Sequence, residues 1–185
     1  MAWSRNIFLL ALACKQHESK LDRLAPPPPS TRIALDGELD EPAWNASATR
    51  GVFEADGVQA RPYSEIRILR DETHVLVGLY AADEDIRSDD SFDISLGGGG
   101  FVTHLTAGGR ATPASVRTAV DRDGSIDDPS DDDEEWVVEA AIPIAELGPA
   151  PVAITAERCD TTKDHVKRCS SWRGSFDPKT LALIR

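Results

Sequence analysis

Basic side chains are scarce in this chain. Twenty lysines and arginines stand against 32 aspartates and glutamates, a formal net charge of −12. The cations are scattered, with no Lys- or Arg-rich patch. Nucleic-acid phosphates require clustered cations, so a nucleic-acid partner is excluded. The usual enzyme signatures are missing too: there is no G-x-S-x-G, no H-E-x-x-H and no glycine-rich phosphate loop ahead of a helix. Gly97 to Gly100 falls between two strand-like runs, a poor phosphate cradle. The four histidines, His17, His74, His104 and His165, are dispersed. A glycosidase needs two carboxylates facing each other across a cleft, and among 32 acids no pair stands out. Cysteine is limited to Cys14, Cys159 and Cys169. With no C-x-x-C and only His165 nearby, zinc is a weak reading.

The N-terminal apolar stretch, Ile7 to Ala13 after Arg5, is too short to span a bilayer, which needs about 20 apolar residues. It reads as a secretory signal. Ala13-Cys14 resembles the end of a bacterial lipobox whose cysteine is lipidated, although Leu12 and Ala11 depart from the usual pattern. The expectation is export to the cell envelope or beyond, with a lipid on Cys14 holding the protein to a membrane. The other reading is a cytoplasmic chain with an accidentally apolar start. A polar stretch with four prolines, Pro26 to Pro29, then gives a semi-rigid tether over residues 15–32. With Cys14 used, Cys159 and Cys169 are left as an even pair, suited to a disulfide in an oxidising compartment; two free thiols are the alternative.

The folded domain begins near Ile33, and its periodicity is that of strands. "RIALDG", "SEIRILRD", "SFDISL" and "WVVEAAIP" alternate. "THVLVGLYAAD" is apolar on both faces, as in a central strand. "FVTHLTA", "SVRTAVD", "VAITAERC" and "TLALI" add further strands, and "IAEL" allows one helical turn. No long 3.6-residue period and no internal repeat appears. Many short strands with turn signals between them predict an all-β, antiparallel two-sheet sandwich of jelly-roll or immunoglobulin-like type, with little helix. Trp44 and Trp136 sit beside apolar runs and are expected in the core.

"IALDGELDEPAWNAS", "VLVGLYAADEDI", "DDSFDISL", "DGSIDDPSDDDEEWVVEAAIPIAELG" and "CSSWRGSFDPKTLALI" follow one another in order. Together they resemble carbohydrate-binding module family 9-like domains over nearly everything from Ile33 to the end, residues 33–185. The resemblance implies a β-sandwich without catalysis of its own that binds polysaccharide or oligosaccharide, often beside a separate glycoside hydrolase. It implies Asp93 and Arg158 as sugar contacts; the alternatives are an exposed residue on a half-buried strand for Asp93 and an ion pair with one of the many acids for Arg158. Trp172, flanked by Ser170, Ser171 and Arg173, is expected as an aromatic platform on a polar loop, with packing in the core as the alternative. One departure is plain: xylanase-associated members carry a second aromatic before the D-D-S element, and here Arg87 and Ser88 stand there. A protein-interaction module of an envelope complex is the runner-up, and a glycan-processing enzyme the third reading.

The acidic run before Trp136 leaves two readings. Asp131, Asp132 and Asp133 suit a solvated turn guarding a strand entry. No cofactor is required. A structural Ca²⁺ held by Asp127, Asp128 and Asp131 is the second reading, since family relatives bind calcium. The glutamate that an EF-hand needs is missing, because Asp132 takes its place.

Overall fold

The structure, a computed structural model, describes residues 32–45 and 49–184. The signal-like segment, Cys14 and most of the tether lie outside these residues. Alternating apolar residues build β1 (Thr49–Val52), β2 (Glu54–Ala55), β3 (Val58–Gln59), β4 (Ser64–Arg70), β5 (His74–Ala82) and β6 (Ser91–Leu96). The series continues with β7 (Phe101–Thr106), β8 (Ala111–Thr112), β9 (Arg117–Asp123), β10 (Glu135–Pro143), β11 (Val152–Thr161) and β12 (Lys167–Phe176). One helical turn, α1 (Pro42–Asn45), and a 3₁₀ turn, Ile144–Glu146, complete the described elements.

All strand pairs are antiparallel and form two sheets. Sheet A has the order β1-β4-β5-β10-β9, and sheet B the order β3-β2-β12-β11-β6-β7-β8. The all-β sandwich is therefore as expected, including the central place of β5 and the single helical turn near Ile144. Two expected strands are not strands. Residues 33–37 have no sheet partner and bend at Asp36 and Gly37, and residues 181–184 make only an isolated parallel bridge, Arg70 with Leu183.

Those two segments have another use. Between the sheets lies the main core, where Phe92 packs on Phe53 at 5.5 Å and on Trp136 at 5.0 Å between ring centroids. A second core lies on the far side of sheet A. There Trp44, Ala43, Leu69, Leu76 and Ala141 are buried, with Ile33, Leu35, Leu39, Ala182 and Ile184 packed over them. Both faces of sheet A are thus covered, which explains why seven consecutive residues of β10, Trp136 to Ile142, are all buried. Sheet B keeps one face on the core, and among the described residues nothing covers the other. Trp44 and Trp136 are fully buried, as anticipated. Among the described residues no helix is long and apolar enough to cross a membrane.

Candidate functional site

The uncovered face of sheet B is built by register. Starting from the edge, Gln59, Glu54, Ser171, Glu157, Asp93, His104 and Thr112 are successive cross-strand partners on β3, β2, β12, β11, β6, β7 and β8. Their neighbours along the chain, such as Phe92, Ile94 and Ala156, are buried in the core. Strand alternation therefore turns the whole row outward. At about 4.8 Å per strand, the row crosses roughly 29 Å of sheet. It offers carboxylates, an amide, hydroxyls and an imidazole, and no Trp, Tyr or Phe ring. Asp93 Oδ1 lies 2.8 Å from His104 Nδ1, and both side chains are nearly half exposed. Glu157 stands directly opposite Asp93, and like charges so placed repel. Hydroxyl donors are well suited to such acceptors.

A second concavity sits at one end of the sandwich. A cavity of about 360 Å³ is lined by Arg61, Pro62, Asp83, Glu84, Asp85, Asp160 and the tip of the β11–β12 hairpin. One of about 280 Å³ adjoins it, sharing Arg61, Pro62, Asp160 and Arg168. Beneath it lies a buried polar group. Arg158, 2% exposed, donates from NH2 to Asp83 Oδ2 at 3.0 Å and from NH1 to Ser64 Oγ at 2.8 Å. Its NH2 is also 3.6 Å from Asp160 Oδ1. Trp136 Nε1 donates to Asp83 Oδ2 at 3.1 Å and the Asp85 amide to Asp83 Oδ1 at 3.1 Å. Asp90 accepts from the amides of Thr161 and Arg87, each at 2.8 Å. Burial pushes Asp90 up to about 7, despite those two amides. Burial also pushes Asp160 up to about 6, against the attraction of Arg158.

The three residues expected to contact sugar do not converge. Asp93 faces outward on sheet B, whereas Arg158 and Trp172 point to its inner side. Arg158 follows its alternative reading, an ion pair with an acid: it is committed to Asp83 and Ser64 in the interior. Trp172 is a correction, because it stands mid-strand on β12, opposite Ala156, and not on a loop. Its ring packs against the main core and lies over two glycines. A Cβ on Gly51 would fall 2.0 Å from its Nε1, and one on Gly174 would fall 2.6 Å from its Cη2. The side chain closes the edge of the sandwich between β1 and β12.

Cys159 and Cys169 are bonded, at opposed positions of β11 and β12 with Cα atoms 4.2 Å apart. Three groups of possible metal ligands converge among the described residues, and their acidic members could hold a divalent ion. They are Asp83 with Asp90 and Asp160, Asp36 with Glu41 and Glu139, and Glu157 with the disulfide sulfurs. Asp127, Asp128 and Asp131 belong to none of them. Each binds a serine instead: Asp127 the Ser88 amide at 3.0 Å, Asp128 the Ser130 amide and hydroxyl, Asp131 the Ser125 hydroxyl. These bonds hold Asp127 and Asp128 below the usual carboxylate range. The solvated-turn reading holds for Asp132, whose side chain is 98% exposed beside Lys163. Asp133 corrects it: buried, it accepts the amides of Ile86 at 2.6 Å and Ser125 at 2.8 Å, tying the acidic loop to the segment after β5. The place expected to hold a second aromatic is occupied by Arg87 on Asp85 and by Ser88 on Asp127.

No protein-family model and no curated protein matches the chain. Solved structures do. Two are of a carbohydrate binding module family 9 from Caldicellulosiruptor kristjanssonii, one in complex with cellotriose and one with glucose. Each is 14% identical with a TM-score of 0.56, over 80% of this chain and 82% or 84% of the other. The chain shares the β-sandwich fold of these modules.

Proposed function

We propose that this protein is a non-catalytic carbohydrate-binding module that takes its glycan along the uncovered face of sheet B. The asymmetry of the two sheets carries the reading. Residues 33–39 and 182–184 cover the outer face of sheet A, whereas among the described residues nothing covers the row of hydrogen-bonding side chains, roughly 29 Å long, on sheet B. A flat polar row suits an extended polyhydroxyl chain. Asp93 is its central acceptor, with Glu157 and Ser171 on one side and His104 on the other. The likeness to modules solved with cellotriose and glucose supports the class of ligand. With no Trp, Tyr or Phe ring on the row, affinity rests on hydrogen bonds alone, and weak, millimolar-range binding is expected. Export through the N-terminal signal, a lipid on Cys14 and cooperation with a separate glycoside hydrolase complete the proposal.

Pulldown on insoluble xylan, cellulose and chitin, with titration of soluble oligosaccharides, tests it. Binding lost in Asp93→Ala and retained in the cavity variant Arg61→Ala is the expected result. Retention of binding in Asp93→Ala would move the site to the end cavity. Capture of none of these glycans would favour the envelope-protein reading, and release of reducing sugar would make the protein an enzyme.

A further inference from the structure

The resemblance to calcium-binding relatives raises the question of whether the buried Asp83–Asp90–Asp160 group holds such an ion. Its donor set does not fit one as the chain stands. Calcium takes six to eight oxygen ligands, about that many being needed to replace its water. Here both oxygens of Asp83 already accept from Arg158, Trp136 and the Asp85 amide. Each oxygen of Asp90 accepts one backbone amide, which leaves it a second lone pair, so the bar to an ion is Arg158 and not these amides. The Arg158 guanidinium reaches both Asp83 and Asp160, where a bridging ion would have to sit. A divalent ion so close to that fixed positive charge would meet strong repulsion in a medium poorer in water than the surface.

We propose that the Arg158 guanidinium is the resident cation of this acid group, and that removing it turns the group into a divalent-cation site. Three observations carry this. The three carboxylates lie within 4.8 Å of one another, 4%, 1% and 5% exposed, so like charges are packed away from water and a cation is needed among them. Arg158 is the one buried cation at the group, and it is planar and always charged. Asp160 Oδ1, buried, has no hydrogen bond of its own and lies 3.6 Å from Arg158, so the guanidinium's removal takes away its nearest cation and leaves the Asp83 carboxyl beside it. Asp83 and Asp160 also line the 360 Å³ cavity, which gives an ion its route.

The experiment compares full-length wild type, Arg158→Ala and Arg158→Ala/Asp160→Asn, each melted with calcium or with a chelator. Terbium emission sensitised by tryptophan is read alongside, since Trp136 bonds directly to Asp83. Wild type should melt at the same temperature in both conditions. Arg158→Ala should melt lower in chelator and rise by roughly 5–10 °C in calcium at about a hundredfold excess over its Kd. It should also gain a terbium signal that calcium displaces and that the added Asp160→Asn abolishes. If Arg158→Ala folds only when refolded with calcium, the proposal stands. A calcium-dependent shift in wild type that Asp160→Asn removes would overturn it. So would an Arg158→Ala protein that calcium neither stabilises nor rescues.

Discussion

Trp172 shows how a single side chain's role is set by what lies beneath it. Its ring needs the absence of a Cβ at two places, Gly51 on the edge strand of sheet A and Gly174 two residues further along β12. Gly51 is not there for a left-handed turn, since only contact with the indole demands it. Gly51→Ala should therefore cost about 1–3 kcal/mol, as overpacking does. Trp172→Ala should cost roughly 2–4 kcal/mol, a little below a fully buried tryptophan. The double variant should be more stable than the sum of the two, because the methyl group then fills space that the ring has left. Urea unfolding of the four proteins checks it, and strict additivity would show that the two residues do not touch in solution. Sequence context could not reveal this. Ser170, Ser171 and Arg173 make Trp172 look like a loop residue, but Ser171 and Arg173 are simply outward positions of the strand, and Ser170 shares the inward face opposite Arg158.

At the scale of elements, the N-terminal segment is held to sheet A by one buried acid. Glu139, fully buried on β10, accepts the amides of Asp36 and Gly37 at 2.9 Å each and the Trp44 indole at 3.0 Å. Glu139→Ala leaves three donors without a partner, at a cost of at least about 3 kcal/mol. Hydrogen exchange should accelerate at Asp36 and Gly37 well before it does on β5. The β11–β12 hairpin has a covalent tie instead. Reducing Cys159–Cys169 should lower stability by about 2–3 kcal/mol, the value for so short a closed loop, with the change read from denaturation with and without reductant. Much of this architecture is legible in the sequence. The strands β4 to β7 and β9 to β11 announce themselves by alternation, and the disulfide by parity of cysteines. What was not legible follows from tertiary context. Glu139 alternates like a surface residue, and nothing local says that a distant segment will cover it. Residues 33–37 and 181–184 have strand-like patterns because they too bury one side, but against the outer face of a sheet and not within its ladder. Strand β12 carries so few apolar residues that its alternation is hidden, and with it the face on which Trp172 lies. Asp93 is singled out by the family resemblance alone, and its partners His104 and Glu157 become a row with it only once the register is known.

For the molecule as a whole, acid is both surplus and interior. Three buried carboxyls are held above their ordinary range by burial: Glu139 at about 7, Asp90 at about 7 and Asp160 at about 6. A carboxyl whose folded pKa is raised binds its proton more tightly in the folded state than in the unfolded chain. Its contribution to stability is therefore complete below the unfolded value, near pH 4, and is lost as pH rises through about 6–7. The formal charge of −12 acts in the same direction, since self-repulsion grows as carboxyls ionise. Opposing this, Asp71, Asp127 and Asp128 are held low by hydrogen bonds, although burial opposes them at Asp71. Their small contribution is present above about pH 4 and lost below it. The two trends place the stability maximum near pH 4, with stability falling from there through about pH 7. Added salt should recover only the part due to surface repulsion, because the buried groups are poorly screened. Denaturation curves at pH 5 and pH 8, in low and high salt, measure both parts. Glu139→Gln should flatten the slope between pH 5 and 7 even though it lowers the stability itself. A profile that rises from pH 5 to pH 8 would mean that these carboxyls ionise readily inside the fold, with a cation or water beside them.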